Sequence, residues 1–419
     1  MTNPTDSLDS TRSRRAKRKP ALWLTSAFLV SSLALSGCAA AATTASSTSS
    51  SSGTTTSLST LASETTSSST TAGTISSTAA AAETFLATLS DAQREQVLYA
   101  YDDETKTTSW SNFPVTFVER AGLNLTDLTD EQQSAAMAVL EALLSDEGYA
   151  TVTGIMGGDE NLLENSSSSE ESLGQYYIAF FGDPTGSSAW EVQFGGHHLG
   201  INATLDEAAD AITFAPTHLG VQPAVYTDAD GDEVQPFSAI YETAFAFYDS
   251  LTDEQKAELY QGEQPAALVC EPGGTCDYPT GTGLAGADLS DEQKQLLLAV
   301  AANWVGLADE ETTTEALAEI EETLDETYIT WSGATVYDMT QGDGISFQIS
   351  GPDVYIEFAA QQGSAGADVD GVVTAGWGHV HTIYRDPSDD YALSVEQQEA
   401  VGPTGGGSRS SGAGDPGDD

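Results

Sequence analysis

Four of the five histidines in this 419-residue chain lie in two short clusters, His197-His198 and His379-Val380-His381. On a β-strand, side chains two residues apart share a face and lie about 6.7 Å apart, so His379 and His381 can converge on one ion. One histidine from the first cluster would complete the three neutral nitrogen ligands that are usual for an open catalytic zinc, and copper is equally compatible with imidazole. The sequence therefore predicts a zinc or copper site at His197, His198, His379 and His381.

Two other residues are candidates for the chemistry at such a site. Glu357, on a predicted strand, is suited to act as a ligand or as a general base, and Arg385 could orient an anion or pair with Asp386. These residues favour a metal-dependent enzyme, with a hydrolase as one class. The alternative is a non-catalytic surface lipoprotein that binds a ligand or an envelope partner and whose histidines form hydrogen bonds in a sheet core. We assign His218 a structural role in a loop.

The first histidine pair is predicted to lie at the tip of a β-hairpin. A β-rich stretch surrounds it, and a similar stretch about 155 residues later contains the turn Ser350-Gly351-Pro352-Asp353 between alternating strands. The counterpart of this turn is Gly195-Gly196-His197-His198, where glycine allows both imidazoles to lean to one side.

One helix-start pattern recurs four times, a Ser or Thr followed three residues later by Gln. In this capping box the hydroxyl accepts from the third helical amide and the Gln side chain reaches back to the cap. The four boxes start at Ser90, Thr129, Thr252 and Ser290.

The spacing of the boxes predicts an internal duplication. The two boxes of each half are almost equally spaced, and a β-rich stretch follows each second box. We predict an α+β fold of two pseudo-repeats, about 84–235 and 236–401, each a capped helix pair plus a β-hairpin around a shared antiparallel sheet.

The three cysteines are consistent with an exported protein. Cys270 and Cys276 flank a turn-rich spacer, which favours a small disulfide loop in an oxidising compartment. Cys38 ends the segment Leu35-Ser36-Gly37-Cys38, which resembles a bacterial lipobox and would make Cys38 the lipidated first residue.

The chain ends are predicted to lie outside the folded part. Residues 1–38 form a lipoprotein signal peptide, because a basic region precedes roughly 15 apolar residues, too few for an ordinary membrane span. Residues 39–83 are a Ser/Thr/Ala-rich disordered tether, residues 84–401 the folded domain, and residues 402–419 a disordered tail. We therefore expect an exported protein, lipid-anchored to the outer face of the cytoplasmic membrane.

The formal net charge of the chain is −51. A surface this negative repels phosphate backbones, so nucleic acid is excluded as a partner. The expected partners are the membrane, through the lipid, and a small molecule or envelope component.

Several short motifs resemble the bacterial family known as domain of unknown function 3500. They are Gly196-His197-His198-Leu199, Trp331-x-Gly333, Gly351-Pro352-x-x-Tyr355-Ile356-Glu357 and His379-x-His381 followed by Arg385-Asp386-Pro387. The resemblance covers roughly 84–391. The chain departs from the pattern at Tyr384, where the family implies Trp, and in a Gly/Ala/Asp-rich insertion at 363–371. The family implies no established activity.

Overall fold

The computed structural model describes residues 70–396 except 171–172, 263, 266–267, 274 and 341–342. The predicted signal peptide with Cys38, the predicted tether up to residue 69 and the predicted tail at 402–419 lie outside the described residues. None of the helices in the described part combines the length and apolar character that a membrane span requires.

The helices begin where the sequence predicts capped starts. All four capping boxes are formed, with the Ser or Thr hydroxyl accepting from the amide of the Gln and the Gln side chain accepting from the cap amide. The helices are α1 (Thr71–Thr88), α2 (Asp91–Val97), α3 (Thr105–Thr108), α4 (Asp130–Leu143), α5 (Asp146–Asn165), α6 (Ser238–Ser250), α7 (Asp253–Leu259), α8 (Asp291–Val305) and α9 (Glu310–Glu322).

The folded part begins earlier than the composition predicts. Residues 71–83, assigned to the tether, belong to α1, so the predicted boundary at residue 84 is wrong and is corrected to Thr71. Ile75 is the one large apolar residue of this stretch, and the small side chains around it let α1 pack closely against α4. Thr74, Thr78 and Ala82 are buried as well. Low hydrophobicity was therefore a poor guide to disorder here.

Most strands join one large sheet. The strands are β1 (Leu98–Tyr99), β2 (Leu123–Asn124), β3 (Tyr177–Phe181), β4 (Trp190–Gly195), β5 (Leu199–Asp206), β6 (Ala211–Thr213), β7 (Thr217–Val221), β8 (Tyr226–Thr227), β9 (Glu233–Val234), β10 (Leu284–Ala285), β11 (Tyr328–Gly333), β12 (Ile345–Ser350), β13 (Tyr355–Gln361) and β14 (Gly376–Arg385).

The sheet has 12 strands in the order β1-β3-β4-β5-β7-β14-β13-β12-β11-β10, with β2 on β3 and β6 on β5. Its pairs are antiparallel except β1 with β3, and β8 and β9 form a separate hairpin. The predicted α+β class and antiparallel sheet are confirmed. Both predicted hairpins form, since β4 pairs with β5 and β12 with β13 across the two predicted turns.

The two faces of the sheet are covered differently. One face is apolar and packs on the helices, with Leu199, Leu219 and Val380 in the main hydrophobic core. The other face carries buried polar side chains under loops and the short helix α3; Gln193, for example, bonds to Ser109 and to the backbone of Lys106. Because successive strand residues point to opposite faces, the histidines of β7 and β14 lie on the loop-covered face.

Candidate metal centre

All five histidines of the chain meet at one place. His197 and His198 form the turn between β4 and β5, His218 lies on β7, and His379 and His381 lie on β14. The strand register brings them together, because His218 lies opposite Gly200 on β5 and His381 lies opposite Gly220 on β7. The four predicted ligands thus come together, while His218, which we assigned a structural role in a loop, is a strand residue inside the cluster.

The ring nitrogens are close enough to share an ion. One nitrogen from each of His197, His198 and His381 lies within 4.8 Å of the other two. His379 extends the group, since its Nε2 lies 3.3 Å from Nε2 of His381. The ring of His218 lies 5.4 Å from that of His381, centre to centre. A buried histidine cluster that could hold a metal ion is therefore present.

Three of the rings are oriented by a hydrogen bond from Nδ1 to an oxygen. His198 Nδ1 donates to Asp159 Oδ1 at 2.5 Å, His218 Nδ1 to the Thr382 carbonyl at 2.7 Å, and His379 Nδ1 to the Gln362 carbonyl at 2.6 Å. The bond fixes the tautomer, so that each Nε2 carries the lone pair. Among the described residues, Nε2 of His198 and of His218 has no hydrogen-bond partner.

The contact with Asp159 continues into a second residue. Asp159 lies on α5 and is buried, and its other carboxylate oxygen accepts from the Tyr176 hydroxyl at 2.7 Å. A carboxylate behind a histidine is the arrangement that holds and strengthens many metal-ligating imidazoles. Asp159 lies on the apolar face of α5, between Ile155 and Leu162. A charged residue at a position where the helix pattern calls for an apolar one is the sequence signal that could have identified it.

His381 and His197 face side chains from other segments. His381 Nδ1 lies 3.3 Å from the amide nitrogen of Asn112, whose amide oxygen has no partner among the described residues. In this arrangement the amide donates to Nδ1, so the ring hydrogen of His381 is on Nε2. Rotation of the amide by 180° would let its oxygen accept from Nδ1 and leave the lone pair on Nε2. His197 Nδ1 lies 3.0 Å from Glu170 Oε1, and the ring stacks on His198 with centres 4.1 Å apart.

The surroundings of His197, His218, His379 and His381 favour the neutral imidazole. Burial, followed by the neighbouring histidines, lowers the pKa of His197 and takes the pKa of His381 well below its usual value. Burial lowers the pKa of both His218 and His379 to about 3. A neutral imidazole is the form that binds a metal, so near pH 7 no proton has to leave these nitrogens first.

A buried arginine ties the covering loop to the histidine turn. Arg120 donates to the carbonyl of Gly196 at 2.7 Å, to those of Ser111 and Phe113 at 2.7 and 2.6 Å, and to that of Val118. Burial lowers the pKa of Arg120 to about 10. We did not single out Arg120 from the sequence, because it lies in a loop without a motif.

The residues predicted for catalysis have their own partners. Glu357 accepts from the amides of Val269 and Cys270 at 2.8–3.0 Å, and burial raises its pKa. Arg385 Nε donates to Asp390 Oδ2 at 2.7 Å, so its ion pair is with Asp390. The catalytic roles of Glu357 and Arg385 stay predictions.

The disulfide between Cys270 and Cys276 is present, with Cα atoms 4.9 Å apart. Its loop packs on Trp110, and Cys270, Trp110 and Ile383 share a small apolar cluster beneath the loops. The disulfide loop is therefore one of the loops that cover the sheet face on which the histidines lie.

Comparisons with known proteins identify the family of the chain. No curated protein and no solved structure matches it. The family model described as "Protein of unknown function (DUF3500)" matches residues 71–393, from the first turn of α1 to just beyond the last strand. The chain therefore belongs to the DUF3500 family of proteins of unknown function.

Proposed function

We propose that this protein is an exported lipoprotein and a metal-dependent enzyme, and that its histidine cluster binds zinc or copper as the catalytic ion. The observation that carries the proposal is the orientation of the rings. Nδ1 of His198, His218 and His379 each donates to an oxygen, which leaves the lone pair on Nε2 of these rings, and Nε2 of His379 lies 3.3 Å from Nε2 of His381. Buried polar atoms without partners are costly, and a shared ion would satisfy several of them at once.

The distances support one ion shared by several rings. Two imidazole nitrogens on one tetrahedral zinc, each about 2.05 Å from it, lie about 3.3 Å apart. The Nε2 atoms of His379 and His381 lie 3.3 Å apart. The group of His197, His198 and His381 is wider, at up to 4.8 Å. An ion at its centre would lie about 2.8 Å from each nitrogen, so these rings would close by about 0.7 Å on binding.

The ligand chemistry favours zinc or copper over harder ions. Imidazole nitrogen suits zinc and copper, whereas calcium and magnesium require oxygen ligands. Bound in this way, zinc would supply a Lewis acid and a water whose pKa falls to about 7, which is the chemistry of a hydrolase. The five histidines are at most 7% exposed, so a reactant that reaches the ion has to be small.

The same burial favours the second candidate function. His198 and His218 are fully buried, as expected if the ion or the histidines stabilise a surface lipoprotein that binds a ligand or an envelope partner without catalysis. Hydrolysis of a small activated ester, 4-nitrophenyl acetate, separates the two. The enzyme proposal requires turnover that follows metal content and is lost in the His379→Ala/His381→Ala variant. A metal-loaded protein without turnover of small esters supports the second function.

Membrane attachment rests on the signal and lipobox at Cys38. A lipid on that cysteine would carry the chain into the detergent phase on Triton X-114 partition. We expect the wild-type chain there and a Cys38→Ser variant in the aqueous phase. Equal partition of the two chains would contradict the lipid anchor.

We also propose that the fold arose by internal duplication. On each side of the central β7–β14 pair, the next strands follow in the same sequence, β5, β4 and β3 on one side and β13, β12 and β11 on the other. The helices α1, α2, α4 and α5 precede β3 along the chain, just as α6 to α9 precede β11. The paired capping-box glutamines also contact each other in both halves, Gln93 with Gln132 and Gln255 with Gln293.

Loss of either glutamine–glutamine hydrogen bond, in Gln132→Ala or Gln293→Ala, should lower the free energy of unfolding by a similar amount, about 1–2 kcal/mol. A large effect in one half only would weaken the proposal.

A further inference from the structure

A second candidate site lies at the end of the sheet where β14 ends. It is a cavity of about 320 Å³, within the range of small-molecule sites. Carboxylates from several segments line it, and none of the described lining residues is basic. The acidic residues are Asp206, Glu315, Glu319, Asp353, Asp386 and Asp389. No lining residue is a histidine of the metal centre.

A buried tyrosine lines this cavity. Tyr384, on β14, lines the cavity and is 5% exposed. Among the described residues no hydrogen bond is formed by its hydroxyl, and the charges of Asp386, Glu319 and Asp389 act on it. A hydroxyl that no protein group engages is free to form a hydrogen bond with a ligand.

The wall of the cavity is partly apolar. Ile212, Phe214, Val305 and Ile320 contribute to it beside the acidic residues. A hydrated inorganic ion gains nothing from such a surface, whereas methylene groups gain free energy in proportion to the apolar area that they cover. The combination of carboxylates with an apolar wall is suited to an aliphatic chain that carries positive charge.

The carboxylates repel one another when no cation is present. Burial, opposed in part by hydrogen bonds to Ser388 and reinforced by Asp390 and Asp389, raises the pKa of Asp386 to about 6. Burial followed by neighbouring acids also raises the pKa of Glu319. A cation in the cavity would relieve this repulsion.

We propose that this cavity binds an aliphatic amine, an organic cation with at least one ammonium group on a methylene chain. The carboxylates hold the ammonium, the Tyr384 hydroxyl accepts from it, and the apolar wall covers the chain. The proposal stands independently of the metal centre.

The test is calorimetric titration of the full chain in detergent with 1,4-diaminobutane. It is done in 0.5 M NaCl, because salt at this concentration screens diffuse attraction to an acidic surface. Butane-1,4-diol is the neutral probe and calcium chloride the inorganic cation. We expect saturable 1:1 binding of the diamine with Kd below about 1 mM, equivalent to about 4 kcal/mol, and no saturable binding of the diol.

Variants distinguish diamine binding in this cavity from attraction of the diamine to the overall negative charge. Glu315 and Glu319 are exposed on α9, so Glu315→Gln/Glu319→Gln should fold normally and weaken diamine binding at least tenfold. The matched control is Glu254→Gln/Glu258→Gln, an exposed pair with the same spacing on α7, which should change nothing. Tyr384→Phe, which keeps the charge, should weaken binding about threefold.

Three outcomes would overturn the proposal. They are equal binding of the diamine and the diol, equal losses in the α9 and α7 variants, and saturation by calcium that the diamine does not displace. The last result would assign the cavity to a metal ion.

Discussion

The partner of Nδ1 largely determines how well each histidine can bind a metal through Nε2. Asp159 is a stronger Nδ1 partner than the carbonyls behind His218 and His379, because a carboxylate increases the electron-donating ability of an imidazole more than a backbone carbonyl does. It also lies closer to its ring, at 2.5 Å, than the Glu170 carboxylate lies to His197, at 3.0 Å. Its other oxygen is already held by Tyr176. Asp159 should therefore be the contact to which metal affinity is most sensitive outside the ligands themselves.

Asp159→Asn keeps the size of the side chain and its acceptor but removes the charge behind His198. Metal affinity should fall 10–100-fold, as is usual for loss of such a contact. The measurement is competition with a chelator of known affinity. Tyr176→Phe retains the carboxylate and should have a smaller effect. An Asp159→Asn variant with unchanged affinity would show that His198 is not a ligand.

Asp386 gives a pH prediction for the amine-free protein. Its pKa rises from 3.8 to about 6 on folding, so its stabilising contribution is fully present below pH 3.8 and is lost as the pH rises through 6. The full loss corresponds to about 3 kcal/mol. Relative to Asp386→Asn, wild-type stability should therefore decline between pH 4 and 7 in urea unfolding. A constant difference between the two chains would contradict the raised pKa.

The sequence predicted the candidate ligands better than the residues that support them. Two histidines on a strand and two at a glycine turn are local patterns, and the structure brings all four together. His218 was missed because its place depends on β7 pairing with both β5 and β14. Asn112 and Arg120 reach the centre from a loop, and loop positions are set by tertiary contacts that a short motif does not specify.

At the scale of elements, the centre depends on the loops that cover the polar face of the sheet. The disulfide loop and the segment around Trp110 touch at Gly273, whose φ is +75°. A Cβ on this glycine would lie 2.1 Å from the carbonyl oxygen of Trp110. The loop therefore sits where it does only because the residue has no side chain.

Gly273→Ala should lower the free energy of unfolding by about 3 kcal/mol, from left-handed strain and from the collision with Trp110. Gly281→Ala is the matched control, because Gly281 has φ +81° with open space around it. It should cost only about 1 kcal/mol. Urea unfolding measures both, and equal losses would mean that the loop does not press on Trp110.

The hydrogen bonds of Arg120 to the histidine turn and the covering loop can be tested in the same way. Arg120→Met leaves the carbonyls of Gly196, Ser111 and Phe113 without their donor, at a cost on the order of 3 kcal/mol. Metal affinity should fall with it, because Gly196 begins the histidine turn. Arg94 is exposed on α2, so Arg94→Met should change neither quantity. Loss of stability without loss of affinity would limit Arg120 to a structural role.

Helix starts and hairpin turns were predictable because both are encoded within a few residues. The capping boxes and the two turns formed as expected. The first helix was not predicted, because the packing of α1 on α4 depends on small residues that also occur in linkers.

At the scale of the whole molecule, one sheet separates an apolar, helix-packed face from a polar, loop-covered face. The family domain spans 71–393 and contains both the histidine centre and the acidic cavity. The charge of −51 repels anionic polymers and attracts cations to the chain. In the two proposals, imidazole nitrogens select a metal ion at one site, and carboxylates beside an apolar wall select an organic cation at the other.

The most direct test of the metal centre is X-ray absorption of the full chain after loading with zinc and, separately, with copper, with the ion counted by mass spectrometry. We predict one ion per chain with only nitrogen or oxygen neighbours at about 2.0–2.1 Å and the outer-shell scattering of at least three imidazoles. The His379→Ala/His381→Ala variant should lose the ion. No stoichiometric ion in the folded wild-type chain, or an ion without imidazole scattering, would contradict the account.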